Sequence, residues 1–580
     1  MSASVARRLF ACVMLGLRGL TSADRLVLLG VAVLHVIGIG WGLPGAAGWD
    51  VDGIAPQDFL PGVVKTFTPG EYFTYPPLHL VFLTVLTLPI TLVVLARAPS
   101  LSRADLIHSF TQVPVMTSFA FAARFVSALM SLGLVFVIGR MATAIFGPRA
   151  RPWAMAIAGV EVAGTYYGHT TNLDMPALFW SSCALLALIR AVQNDDPRRL
   201  WRVAVLASCA IATKDQAYAV FAFAVPCVML AWLVIRWRSG RVRELARAGA
   251  MSFALALALV LFLDGALFNP SGFAARLRFL SGPASQDFAQ YSRDWPGRLA
   301  AVWDAATFLP QHYPIALAPV FVLGAIFAAV RAPAAQRLAA LIPLLAIVSF
   351  TLTFNAVAQR VEERFMMPQM QLLAVYGGGA VSGLLGARPA SDRPLLGWLV
   401  RLGALACVAL GLRQSLTVVA NMLGDSRYDA ERFLGDNVRP DDVVEVYGKN
   451  VYLPRFTAGA TVQRVGEDPT DMRSPIPGVT ELQARVGAVD QRKPRWIVVS
   501  SGYAWRFLQR SRDAEGGRVL PEAQRVLLAD SDATSYFGAL FTERAGYRVA
   551  HVAVFQGSRW FPPRPLHASL ACDIFIFERR

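Results

Sequence analysis

The run Cys227-Val228-Met229-Leu230-Ala231-Trp232-Leu233-Val234-Ile235-Arg236-Trp237-Arg238-Ser239-Gly240-Arg241-Val242-Arg243 decides the fold class. Unbroken apolar side chains end abruptly in a cluster of arginines, and apolar sequence resumes over 249–268. A helix on the surface of a soluble protein would show a polar stripe every three to four residues; a segment apolar all round belongs in lipid or deep in protein. The same pattern recurs through the first 415 residues. Segments near 26–43, 120–139, 153–169, 174–192, 202–213, 216–235, 249–268, 314–330, 338–356, 366–386 and 395–415 read as about eleven transmembrane helices, with a further apolar run at 78–96.

Composition agrees. Of 580 residues, 55% are hydrophobic and 16% charged, against the roughly 25% charge of a typical soluble domain. Mean hydropathy is +0.46. The net charge of +16 sits mostly in short connections between apolar runs, so it orients the chain in a bilayer rather than gripping nucleic acid. Only Lys65, Lys214, Lys449 and Lys493 are lysines, which sets Lys214 apart beside its apolar run. The six cysteines, Cys12, Cys183, Cys209, Cys227, Cys407 and Cys572, show no metal-ligand or disulfide spacing. No convincing signal-peptide cleavage site follows Arg7, Arg8, Arg18 and Arg25.

The positive-inside rule then sorts the loops. Arg140/Arg149/Arg151, Arg190/Arg198/Arg199/Arg202, Arg236/Arg238/Arg241/Arg243, Arg331/Arg337 and Arg388/Arg393 fall on the cytoplasmic side with the N-terminus. Stretches 44–76, 269–313 and 357–365 and the C-terminal part fall outside. One more crossing at 78–96 would invert everything after it. Residues 78–118 are therefore expected to make zero or two net crossings, as a juxtamembrane or re-entrant segment or a hairpin, with Pro76, Pro77, Pro89 and Pro114 bending its path. The expected organisation is a transmembrane domain over 1–420 and an extracytoplasmic α/β domain over 421–580. Strands are read at Asp442–Tyr447, Trp496–Ser500, Tyr547–Phe555 and Asp573–Phe577, and part of a helix at Asp429–Leu434.

Ionisable residues gather at the outer ends of the spans. The first outer loop holds Asp50, Asp52, Asp58, Lys65, Glu71, Tyr75 and His79. His169 to Asp174, then Lys214-Asp215, then Arg360 to Arg364 follow in later loops. Charges beside membrane spans are functional candidates. Each also has a plainer role available. Asp50 or Asp52 could cap a helix starting near Ala55-Pro56, and Asp174 could cap the helix entering Pro176. His79 and His169 could be satisfied interface histidines. Lys214, Arg360 and Arg364 could snorkel to the headgroups. Convergence of acids and bases at one face of the bundle favours chemistry.

The order of these features carries a resemblance. It comprises the outer Asp loop, Tyr75-Pro76-Pro77-Leu78-His79, Ala123-Arg124-Phe125-Val126-Ser127-Ala128-Leu129 and Ile145-Phe146-Gly147-Pro148-Arg149. Thr171-Asn172-Leu173-Asp174-Met175-Pro176, Ala212-Thr213-Lys214 and Arg364-Phe365-Met366-Met367-Pro368 complete it. Over roughly 25–380 the chain resembles the GT-C membrane glycosyltransferases, in the branch of protein O-mannosyltransferases and the lipid A aminoarabinose transferase. The resemblance implies an enzyme of the bacterial inner membrane that takes a hexose or pentose from a polyprenyl-phosphate carrier and passes it, with inversion, to a protein, lipid or glycan acceptor on the outer face. It implies Asp52 as the base, with Asp50 the fallback, and Asp174 as the second outer acid. Lys214, Arg360, Arg364 and Tyr75 would meet the donor phosphate, and His79 or His169 with Asp174 could hold a divalent metal. The family usually has Glu after the first Asp; Gly53 departs from that. The competing readings are a glycan ligase using a polyprenyl-linked donor, a transporter or flippase, and a non-enzymatic assembly factor.

Overall fold

The computed structural model describes residues 19–45, 48–50, 52–331, 334–386, 394–456, 459–467, 476, 478–508, 531–562, 570 and 572–580. Arg7, Arg8, Cys12, Arg18, Arg388 and Arg393 lie outside them. Among the described residues, seven helices are long and apolar enough to cross a membrane: Leu78–Arg97, Val113–Phe146, Asp174–Gln193, Asp215–Trp237, Val242–Leu263, Gln336–Ala358 and Trp398–Asn437. Six of these carry segments read as spans from sequence, and Leu78–Arg97 is the run set apart there. The other expected spans are shorter, broken or more polar. Ser22–Val36 has 15 residues and Leu200–Ile211 has 12. The 153–169 segment is split into Arg151–Gly159 and Val162–Gly168. The break has a chemical cause: Glu161 ends the first piece and caps the second, its carboxylate accepting the Ala163 and Gly164 N–H groups at 3.0 and 2.5 Å.

Charge is sorted to the two ends of this bundle. Asp174 opens the helix Asp174–Gln193, and just beyond its other end Asp195 accepts Arg236 at 2.7 Å. A 20-residue helix is about 30 Å long, so the arginine-rich connections lie a membrane thickness from Asp174. Both ends of the 78–118 stretch lie at the Asp174 end. The Leu78 N–H donates to the Ala212 carbonyl at 3.0 Å, two residues before Lys214, and Thr117 Oγ1 accepts the Gly45 N–H at 3.0 Å in the first loop. Both ends of the stretch thus meet the same end of the bundle. Its first half is one continuous helix that accommodates Pro89, rather than an irregular path.

The helix Pro394–Leu423 leads into Ser426–Asn437 and a six-stranded sheet. The strands are β1 (Val443–Tyr447), β2 (Thr461–Gly466), β3 (Val479–Gln483), β4 (Trp496–Ser500), β5 (Tyr547–Ala553) and β6 (Ile574–Arg579), in the order β3-β2-β1-β4-β6-β5. The first four run parallel; β6 is antiparallel to both β4 and β5. Every residue of β4 is buried, as a central strand covered on both faces demands. β2 and β3 have no counterpart in the sequence reading; β3 is an edge strand with no fully buried position.

The sheet is fastened to the first loop. Arg427, fully buried, chelates Asp425 at 2.8 and 2.6 Å and lies 4.0 Å over the ring of Trp49. Asp425 also accepts the Trp41 indole N–H at 2.9 Å. Arg455 pairs with Glu431 and donates to the Leu43 carbonyl at 2.7 Å. Beneath the loop, Arg124 donates to the Ile39 and Trp41 carbonyls at 2.6 and 2.7 Å.

Candidate active site

The loop carrying Asp50 and Asp52 is laced to the segment before Asp174. The Ile54 N–H reaches the Thr171 carbonyl at 3.4 Å, and Thr171 Oγ1 donates back to the Ile54 carbonyl at 2.9 Å. Asn172 Nδ2 reaches the Asp52 carbonyl at 3.4 Å, and the Tyr166 hydroxyl donates to Asp50 at 3.1 Å. Gly53 belongs to this lacing. A Cβ there would sit 2.7 Å from Thr171 Oγ1 and 3.0 Å from Asp50 Oδ2. A side chain at this position would force Thr171 or Asp50 to shift.

The capping roles do not materialise. The turn Pro56–Asp58 is capped by Ala55, with no side-chain hydrogen bond. At the helix Asp174–Gln193 it is Asn172 that accepts the Asp174 N–H, at 2.9 Å. That frees both carboxylates for cations. Asp174 binds Lys214 Nζ at 2.5 Å, with both side chains 9% exposed. Asp52 binds Arg364 Nη1 at 2.6 Å. Arg360 binds Glu362 at 2.8 Å, and Arg364 Nε lies 3.5 Å from the same carboxylate.

The three cations share one aromatic ring. Arg364 Cζ lies 4.6 Å, Arg360 Cζ 4.7 Å and Lys214 Nζ 5.9 Å from the centroid of buried Phe365. A ring face attracts cations without neutralising them, so Phe365 gathers three positive side chains, each of which is also paired with a carboxylate: Asp174, Glu362 and Asp52. Arg360 is aimed by an irregular turn: a π-helical segment over Thr351–Asn355, then Gln359 at φ +54°, where the Asn355 side chain donates to the Arg360 carbonyl at 3.0 Å. Tyr75 stands in the same field. Burial first, then the neighbouring Asp52, pushes its phenol up to about 12, so it donates rather than ionises at neutral pH. Burial pulls the Lys214 ammonium below its ordinary pKa, against the opposing pull of Asp174.

The residues marked for a metal do not fit one. His169 turns Nδ1 to the Thr165 carbonyl at 2.6 Å and Nε2 to the Ile37 carbonyl at 2.7 Å, so its ring is committed to the main chain. Asp174 is engaged by Lys214. His79 is buried in the helix Leu78–Arg97. Among the described residues, no three His, Cys, Asp or Glu side chains gather as a metal ion would need.

Two features escaped the sequence reading. Beside Arg360 opens a cavity of about 570 Å³ whose lining includes Asp215, Asp264, Arg276, Arg293 and Arg298. Arg276, 2% exposed, binds Asp215 at 3.1 Å and Asp264 at 3.0 Å. Inside the bundle, Glu161 pairs with His312 and accepts Gln371 at 3.1 Å. A carboxylate within the 153–169 run was the available signal for the second.

Residues 106–264, which run from the end of the first loop region past Asp174 and Lys214, match the family model described as dolichyl-phosphate-mannose-protein mannosyltransferase. Among solved structures, ArnT from Cupriavidus metallidurans bound to undecaprenyl phosphate is similar at 15% identity and TM-score 0.48, over 85% of this chain and 96% of that one. The oligosaccharyltransferase AglB from Archaeoglobus fulgidus, with an inhibitory peptide and a dolichol-phosphate, is similar at 11% identity and TM-score 0.43, over 82% and 69%. The S. cerevisiae Pmt1-Pmt2 complex bound to the sugar donor matches at 16% identity and TM-score 0.27, over 47% and 36%. A search of curated protein sequences finds no match.

Proposed function

We propose that this protein is a membrane glycosyltransferase that moves a sugar from a polyprenyl-phosphate carrier to an acceptor on the outer face of the inner membrane, with inversion. The observation that carries the reading is the trio Lys214, Arg360 and Arg364 around Phe365, with Asp52 bound to one of them. The leaving group of such a reaction is a carrier phosphate. Preorganised cations in a site poor in water stabilise the charge that develops on it. In this reading the phosphate draws Arg364 and Lys214 toward itself, and Asp52 then takes the proton from the acceptor hydroxyl. The acceptor oxygen bonds to the anomeric carbon as the bond from that carbon to the phosphate oxygen breaks, and the electron pair leaves with the phosphate. Asp174 positions Lys214, and Tyr75 donates to the phosphate or the sugar. No step runs through a metal.

The test is transfer in membranes from radiolabelled polyprenyl-phosphate mannose, glucose, arabinose and aminoarabinose, with wild type beside Asp52→Asn. Transfer by wild type that the variant loses at equal expression supports the reading and names the sugar. No transfer from any of these carriers would overturn it in favour of a ligase that takes a whole lipid-linked glycan.

A further inference from the structure

The helix Pro394–Leu423 turns a row of apolar side chains outward: Leu395, Trp398, Leu399, Leu402, Leu405 and Leu410 are 47–71% exposed. On a membrane-crossing helix such a row faces lipid. Arg413, also exposed, stands on the same face, five turns or about 27 Å beyond Leu395, which is close to the thickness of a hydrocarbon core. A second ruler agrees. Gly411 abuts Pro314, where the apolar helix Ile315–Val330 begins; a Cβ on Gly411 would lie 3.7 Å from Pro314 Cδ. Arg413 is therefore level with the bilayer boundary at the end of the bundle where Asp425 meets Trp41. The C-terminal sheet reaches down to this level. After β5 the chain folds a tight turn, in which the Ser558 and Phe561 N–H groups donate to each other's carbonyls at 3.1 and 3.0 Å and the Ser558 hydroxyl also accepts Phe561 N–H at 3.0 Å. The Pro562 carbonyl accepts Asn421 Nδ2 at 3.3 Å, and the Trp560 carbonyl at the tip accepts Arg413 Nε at 3.1 Å. Asn421 and Arg413 are about two turns, or about 12 Å, apart, so the turn hangs down the helix from the sheet to the boundary. Its tip is open: Arg559 is exposed, and Trp560 is 71% exposed. An indole with an arginine beside it, held at that height, has the chemistry of the headgroup layer, where a ring keeps one edge wet and a guanidinium reaches phosphate.

We infer that the turn Ser558–Phe561 is a membrane anchor of the C-terminal sheet, with the Trp560 ring set among the lipid headgroups and Arg559 on their phosphates. The partner is the bilayer that the outward row of Pro394–Leu423 already meets, since Arg413 belongs to that row and holds the tip. The anchor fastens the sheet from the lipid side, as Arg427 and Arg455 fasten it from the side of the first loop. The inference does not depend on which reaction the protein performs; it needs only that Pro394–Leu423 crosses the membrane.

The experiment places the purified full-length protein in nanodiscs of phosphatidylcholine and phosphatidylglycerol, with acyl chains either plain or brominated near their headgroup ends. The chain has 13 tryptophans, so the emission of wild type minus that of Trp560→Phe isolates the one at the tip. Trp560→Tyr supplies the same subtraction if the first variant misfolds. Brominated lipid should remove about half or more of the isolated emission, as for an indole at the interface. Arg559→Gln should lessen that quenching about twofold by releasing the tip from the phosphates. Quenching unchanged in Arg559→Gln would overturn the phosphate contact. No loss of the isolated emission to brominated lipid would overturn the anchor itself. Aqueous iodide then tells the reason: a ring that iodide quenches stands in water, and a ring that it does not quench is covered by protein, such as a second copy of the chain.

Discussion

Arg364 holds Asp52 at 2.6 Å while its guanidinium lies 4.6 Å from the centre of the Phe365 ring. In the proposed reaction one side chain would therefore both restrain the base and meet the leaving group. Replacing it affects both roles. Arg364→Gln is expected to lower kcat/KM by about 10²–10³, the scale of losing one preorganised charge contact, and Arg364→Lys by less. Steady-state transfer assays at equal expression check this; a variant within twofold of wild type would remove Arg364 from the reaction.

Lys214 gives a pH dependence. Its folded-state pKa lies below 10.5, chiefly through burial, so it loses its charge at a lower pH than a solvated lysine. Donor affinity should fall as pH rises through that range. Lys214→Arg keeps its charge and should extend the alkaline limb upward, at some cost in geometry. An unmoved alkaline limb would show that Lys214 does not set it.

The Asp174–Lys214 pair is buried on both sides, so removing one partner strands the other. Asp174→Asn should destabilise by about 3–5 kcal/mol. Asp174→Asn with Lys214→Met should regain much of that stability without regaining transfer. A double-mutant cycle in thermal unfolding, read beside activity, separates the two effects.

Gly53 is enclosed by Thr171 and Asp50. Gly53→Ala should displace the Asp52 loop and reduce kcat more than thermal stability, and Gly53→Glu, the residue the resemblance calls for, should abolish transfer. Activity in Gly53→Glu would mean that the loop opens in the working enzyme.

Arg427→Met should loosen the C-terminal sheet from the first loop, lowering the unfolding temperature and speeding proteolytic cleavage between residues 423 and 426. Unchanged cleavage would mean that the remaining contacts, Arg455 with Glu431 and Leu43 and Asp425 with Trp41, suffice to hold the junction.

Much of this was legible in the sequence, because transmembrane helices and arginine-rich loops are written in composition. Asp52, Asp174, Lys214, Arg360 and Arg364 stood out as charges where charge is expensive, and the fold brings them to one end of the bundle. The sequence could not show their pairing, since Asp52 meets Arg364 across more than three hundred residues. It marked His169 for a metal because a histidine's partners are invisible when they are carbonyls of the main chain. Glu161 was overlooked because the 153–169 run reads as one helix, whereas the carboxylate itself divides it. β2 and β3 were missed because strands at and next to a sheet edge lack the continuous apolar run that marks β4.

The contact of Arg427 with Trp49 also governs timing. Trp49 is the neighbour of Asp50 and is made early, whereas Arg427 and Arg455 are made after the last apolar helix. During synthesis the acidic loop waits, already at the membrane, for a part of the chain almost four hundred residues away to arrive and dock. Until that happens the Trp49 ring lacks the Arg427 guanidinium that lies over it, while Asp52 already has its partner Arg364. A part of the chain made late thus closes over a loop made early.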